Sequence, residues 1–185
     1  PIPTEYFGIE DEEERLRKRY LDILLHPELA EMARKRSLFW NTIRDYLLKK
    51  DFIEVETPVL ENTTGGADAR PFATHHNALN IDVFLRISAG ELWQKKLLVA
   101  GIPRTFEIGR IFRNEGMSNE HLQDYTQLEY YMAYSDYEEG MEMTKELYRL
   151  IGEKVFGTTK FTIKGFEIDL ADEWKIYDFV AILQD

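Results

Sequence analysis

Arg110-Ile111-Phe112-Arg113-Asn114-Glu115-Gly116, then His121, then Tyr125-Thr126-Gln127-Leu128-Glu129-Tyr130-Tyr131 carry the densest chemical information in this chain. They read as a strand over 105–114 that enters a glycine-containing loop and a tyrosine-rich strand that returns over 125–134. Side chains two apart on a strand share a face, so Glu129 and Tyr131 point the same way, as do Arg113 and Glu115. Such a hairpin offers a cation, a carboxylate, an aromatic ring and a second carboxylate to one pocket, a set that suits a zwitterion plus a phosphate. The competing reading is structural: Arg113 pairs with Glu115 or Glu129 as a surface ion pair worth about 0–1 kcal/mol, and the tyrosines cover a sheet.

Upstream, apolar residues recur at spacings near three and four from Pro27 (Leu29, Met32, Phe39, Ile43, Tyr46, Leu47), which predicts a long amphipathic helix ending near Asp51. Phe52-Ile53-Glu54-Val55-Glu56-Thr57-Pro58 then alternates as a strand until proline stops it. Gly65-Gly66 marks a loop, 79–87 alternates as a strand, and 90–98 forms a helix closed by Gly101 and Pro103. Downstream, 137–155 has helical spacing and 161–170 resembles a short hairpin. Residues 5–20 are crowded with charge and read as a solvated lead-in, a linker, or an exposed helix. The sum is an α+β fold: an antiparallel β-sheet flanked by helices on one side.

Composition narrows the function. The chain has 185 residues, no cysteine and a net charge of −11. Disulfides and thiolate chemistry are excluded, and non-specific adhesion to phosphate backbones is disfavoured because it depends on lysines and arginines displacing counterions. Four histidines lack the paired helical spacing of a zinc site, and His75 and His76, adjacent on a strand, point to opposite faces and suit structural hydrogen bonding. No apolar run is long enough to cross a bilayer, so the expectation is a cytoplasmic protein with no membrane contact.

The segment Phe112-Arg113-Asn114-Glu115-Gly116, His121 and Tyr125-Thr126-Gln127-Leu128-Glu129 is similar to the second signature motif of class II aminoacyl-tRNA synthetases. The helix ending in 52–58 resembles the first motif, which in that family builds a dimer interface. Between them, Gly65-Gly66-Ala67-Asp68-Ala69-Arg70-Pro71-Phe72, Thr74-His75-His76-Asn77-Ala78-Leu79 and Leu85-Arg86-Ile87 resemble the lysyl branch of subclass IIb. The resemblance implies the ATP-dependent activation of L-lysine and its transfer to tRNA-Lys, by a homodimer.

It also implies roles. Arg113 would hold the ATP α-phosphate and the amino-acid carboxylate; His121 would lie near the γ-phosphate, Glu115 near the adenine side, and Tyr125 would stack on adenine. Gly66 and Glu91 correspond to the grip on the α-amino group, and Glu129 and Tyr131 to the grip on the ε-ammonium. A buried carboxylate left unpaired by an uncharged amino acid costs several kcal/mol, and aspartate would bring like charges together at Glu129. Ile87-Ser88-Ala89-Gly90-Glu91 has one residue more before the glutamate than the commonest bacterial lysyl form. On this resemblance residues 1–20 are a linker remnant of a missing anticodon-binding OB domain and 21–185 the N-terminal part of the catalytic domain. The third motif and most ligands for Mg2+ would lie beyond Asp185, so the expectation is a truncated chain whose enzyme function belongs to the full-length protein. The alternatives are a non-catalytic dimerising or ligand-binding paralogue and a barrel-less relative that aminoacylates a protein.

Overall fold

The computed structural model describes residues 8–183, which fall into two compact units: residues up to Asp45 with those from Gly140 onward, and Tyr46–Glu139.

In the first unit the charged lead-in is helical, as α1 (Glu12–Arg17) and α2 (Arg19–Leu25). Asp11 caps α1 by accepting from the Glu14 N–H at 2.7 Å. Asp22, fully buried, ties the two helices together by accepting from Arg15 (2.8 Å), Arg19 (2.6 Å) and His26 (3.0 Å). Arg17 and Lys18 pair with Glu13 and Glu14 one turn away, so the basic run here is spent within its own helices. The long helix α3 (Glu28–Lys49) follows.

The second unit begins in the last turn of α3. Asp51 ends that helix in a left-handed conformation (φ 62°), which lets the Phe52 N–H return to the Leu47 carbonyl at 3.1 Å. Then come β1 (Ile53–Glu54), β2 (Leu60–Glu61), β3 (Ala73–His76), β4 (Ile81–Leu85), α4 (Glu91–Val99), β5 (Arg104–Phe112) and β6 (Asp124–Met132). The expected hairpin is present: β5 and β6 pair antiparallel over nine residues each, from Arg104↔Met132 to Phe112↔Asp124. Three features differ from the sequence expectation. The strand after α3 is only two residues long and runs parallel to β5. It stops there because Thr57 turns its N–H and Oγ1 onto the Glu107 carboxylate (3.2 and 2.6 Å) instead of continuing the ladder. Strands β2, β4 and β3 form a separate antiparallel sheet. Leu47, Phe52, Val83, Ile87, Ala89, Phe106 and Ile111 make the core.

The hydrophobic periodicity over 137–155 is realised as α5 (Tyr137–Ile151) followed by a π-helical turn, Gly152–Phe156. Back in the first unit, a Cβ on Gly152 would lie 2.9 Å from the Thr158 carbonyl, so the wide turn depends on a residue without one. The expected hairpin follows as β7 (Lys160–Ile163) and β8 (Phe166–Asp169), anchored by Arg149 donating to the carbonyls of Leu170 (2.8 Å) and Asp172 (2.9 Å). A short helix α6 (Phe179–Ile182), not anticipated from the sequence, is capped by Asp178. No described helix is long and apolar enough to cross a membrane.

Candidate functional site

The site lies in the second unit, on one face of the β5–β6 hairpin. Directly opposed residues share a face, so Tyr125, Gln127, Glu129 and Tyr131 of β6 look out beside Ile111, Gly109, Glu107 and Thr105 of β5. Two carboxylates, Glu107 and Glu129, therefore stand opposite each other, which costs energy unless each is separately compensated.

Glu107 is compensated by a buried cation on the same face. Arg86, as buried as Glu107, forms an ion pair with its Oε1 and also donates to the carbonyls of Arg110 (2.8 Å) and Thr57 (3.3 Å). The guanidinium occupies the space a side chain at Gly109 would need, since a Cβ there would collide with Arg86 Nη2. Glu129 is compensated by hydrogen bonds: its Oε1 accepts from the Ala89 N–H (2.8 Å) and Gln127 Nε2 (3.0 Å), and its Oε2 from the Tyr131 hydroxyl (3.0 Å). Burial, then the charge and hydrogen bond of Glu129, then Glu91, push the Tyr131 phenol well above its ordinary value, so it remains a protonated donor.

Gly66, Ser88, Glu91 and Lys95 complete this cluster. Gly66 is left-handed (φ 87°), and a Cβ on it would collide with Ser88 Oγ and reach within 2.7 Å of Glu91 Oε2. Only glycine suits it both in conformation and in space. Ser88 is held by its Oγ donating to the Gly65 carbonyl at 3.0 Å, and Glu91 Oε1 pairs with Lys95 at 2.5 Å. All four residues assigned to lysine recognition outside Arg113 (Gly66, Glu91, Glu129, Tyr131) thus fall in one cluster.

The other assigned residues line a cleft of about 430 Å³ at the open end of the hairpin, where Arg113, Glu115, His121 and Tyr125 meet. Its loop is fixed by backbone bonds from Arg113 N to Gln123 O and Asn114 N to Arg70 O, both 2.7 Å, and His121 Nδ1 lies 2.7 Å from Ser118 Oγ. Strand β5 ends at Phe112, so Arg113 and Glu115 do not share a strand face as expected. They line the same cleft because the loop, not the ladder, directs them: Glu115 accepts from the Arg70 N–H at 3.3 Å. Arg113 forms no ion pair among the described residues. It spends one N–H, Nε, on the Ile87 carbonyl at 3.3 Å and lies 5.8 Å from the centre of the Tyr125 ring. The surface pairing with Glu115 or Glu129 is not formed.

One short segment joins cleft and cluster. Ile87 accepts from Arg113, Ser88 fills the space beside Gly66, Ala89 donates to Glu129, and Glu91 begins α4. Residues missed in the sequence are Ser88, Lys95, Gln127 and the Arg86–Glu107 pair. Lys95 carried a signal, a lysine four residues after a glutamate on a helix; Arg86 and Glu107 meet across 21 residues and carried none. His75 and His76 make the expected structural bonds, to Asp82 (2.9 Å) and from the Leu79 N–H (3.3 Å). Among the described residues no group of three or more His, Asp or Glu side chains is placed to hold a metal ion.

The sequence profile of tRNA synthetases class II (D, K and N) matches residues 11–185. Over 185 residues the chain is 48% identical to a lysine–tRNA ligase of Synechococcus sp. (strain CC9605), covering 100% of this chain and 37% of that protein. It is 45% identical over 184 residues to the lysine–tRNA ligase of Thermoanaerobacter sp. (strain X514), covering 100% and 37%. With that of Fervidobacterium nodosum it shares 48% over 183 residues, covering 97% and 36%. The chain spans just over a third of the length of these curated relatives.

Proposed function

Because the chain belongs to the class II tRNA synthetases of the D, K and N type, we propose that it is the part of a lysine–tRNA ligase that binds ATP and L-lysine and brings their reacting groups together. The observation that carries this reading is Arg113: a guanidinium with four N–H groups that make no hydrogen bond among the described residues, set between an aromatic-walled cleft and a carboxylate-lined cluster. In the proposed reaction the lysine carboxylate oxygen attacks the α-phosphorus of ATP and the bond to pyrophosphate breaks, leaving lysyl-adenylate. The 3′-terminal hydroxyl of tRNA-Lys then takes the lysyl group and AMP leaves.

The first step brings two anions together. A planar guanidinium donates to both and is worth more as charge builds, because it is already oriented. Tyr125 supplies a face for adenine, with Glu115 at the adenine side and His121 toward the γ-phosphate. Gly66 and Glu91 hold the α-amine, and Glu129 with the Tyr131 hydroxyl holds the ε-ammonium. Glu129 is preformed for a cation by three donors that fix its oxygens without neutralising them. Magnesium would come with the nucleotide; the described residues do not form a site for it, and no step here depends on one. We place the protein in the cytoplasm as a homodimer through α3 and the strand after it. Exposed apolar side chains along this region, Met32, Leu38, Leu48, Ile53 and Leu60, support the dimer, and a monomer in light scattering at micromolar concentration would reject it.

The test is calorimetric titration with a non-hydrolysable lysyl-adenylate analogue, an aspartyl analogue as control, and Arg113→Ala in parallel. The expected result is lysyl-selective binding that the variant loses by tenfold or more. Equal binding of both analogues would overturn the lysine assignment.

A further inference from the structure

Lys95 bridges two elements of the cluster. Its ammonium is 2.5 Å from Glu91 Oε1 on its own helix and 5.9 Å from the centre of the Tyr131 ring on β6. A helical Glu–Lys pair four residues apart is ordinarily a solvated surface contact. Here the glutamate side chain is only a quarter exposed, and its second oxygen faces Gly66. Tyr131, in turn, is bonded to Glu129. The ammonium therefore stands on Glu91 with the ring of Tyr131, the partner of Glu129, beside it. These are the groups that the lysine reading assigns to the substrate's amines.

We propose that Lys95 is a resident ammonium: it occupies the amine-recognising cluster when no amino acid is bound, and a substrate amine must displace it. The proposal rests on the lysine reading and adds a specificity device to it. With Lys95 in place Glu91 is charge-balanced, so a ligand without an ammonium gains nothing by entering and leaves the internal pair intact. An amine of the substrate exchanges one cation for another, and the freed lysine side chain, already half exposed, turns to solvent. Lys95 would thereby slightly weaken binding of any ligand that brings an amine to Glu91, and tie entry at that carboxylate to the arrival of a cation.

The experiment uses the whole chain with 15N-labelled lysines and the variant Lys95→Gln. In the ligand-free protein an ammonium held by a carboxylate exchanges slowly enough to give a cross-peak, assigned to Lys95 by its absence in the variant. Unlabelled L-lysine should abolish the peak as it saturates, and Lys95→Gln should bind L-lysine about threefold or more tightly, the size of a modest ion pair released. Norleucine, which carries the same α-amine, should gain as lysine does, whereas 6-aminohexanoate, which lacks it, should gain nothing. Absence of the peak in the free protein overturns the proposal, as does lysine binding that leaves the peak in place or an affinity unchanged in the variant. If lysine does not bind either protein but concentrated methylammonium chloride removes the peak, the resident ammonium stands and the lysine reading falls. If neither ligand moves the peak, both fall.

Discussion

Replacing Arg86 by methionine tests whether the site face is held together by a buried charge pair. Arg86 and Glu107 are each nearly inaccessible to solvent, and removing one member of a buried pair leaves the other uncompensated, at a cost of about 3–5 kcal/mol. Glu107 keeps its two bonds from Thr57 but now faces Glu129 across the ladder without its ion-pair partner, and the carbonyls of Arg110 and Thr57 lose their donor. For a chain of this size each kcal/mol lowers Tm by roughly 2–4 °C, so the expected fall is about 6–20 °C. Thermal unfolding followed by circular dichroism measures it, with urea titration giving the free energy. Removing both charges as Arg86→Met with Glu107→Leu should recover more than half of the loss, because a well-packed apolar pair is often as stable as a buried ionic one. A single-variant shift under about 4 °C, or a double variant no better than the single, would refute the reasoning.

Gly66→Ala places a Cβ on Ser88 Oγ and strains a left-handed backbone; lysine affinity measured by calorimetry should fall at least tenfold, and an unchanged affinity would remove Gly66 from the cluster. Tyr131→Phe deletes one donor to the Glu129 carboxylate that is already in place without ligand; a charged hydrogen bond is worth about 1.5–3 kcal/mol, so Tm should fall by roughly 3–12 °C, and lysine measured by calorimetry should bind more weakly because Glu129 is less firmly oriented. The Arg15 hydrogen bond, with help from His26 and the Arg15 and Arg19 charges, holds the Asp22 carboxyl below its ordinary range against the effect of burial. A carboxyl depressed on folding stabilises above its unfolded value and loses that contribution as pH falls through the folded one. Asp22→Asn should therefore flatten the acid limb of stability below about pH 4, and a variant with the same acid limb as the parent would show that Asp22 does not carry it.

Local patterns were legible where local physics decides the outcome. The β5–β6 hairpin, α4 and the β7–β8 hairpin follow from alternation, helical spacing and glycine stops, and the shared face of Glu129 and Tyr131 follows from strand parity alone. Parity failed for Arg113 and Glu115 because the ladder ends one residue before them, and hydrogen-bond length along a strand is not written in alternation. The parallel pairing of β1 depends on where a 22-residue helix delivers the chain, and its early end on the grip of Glu107 on a threonine 50 residues away. Arg86 looked like a strand-end residue and proved to be the counter-charge of Glu107 beside the site, a partnership made by topology rather than by spacing. The role of Ser88 is equally invisible, since it exists only because Gly66 approaches it from a distant loop.

Strand β6 is also a ruler. Its alternate residues advance by about 6.8 Å, so Tyr125 and Glu129 stand about 14 Å apart and Tyr125 and Tyr131 about 20 Å. A ligand stacked at one end and paired at the other is therefore selected for length by the pitch of the backbone, which no side-chain substitution alters. Insertion of a single residue between Gln127 and Glu129 would lengthen the scale by half a step and turn one end of it to the opposite face, so point substitutions along β6 should weaken binding by degrees while a one-residue insertion abolishes it.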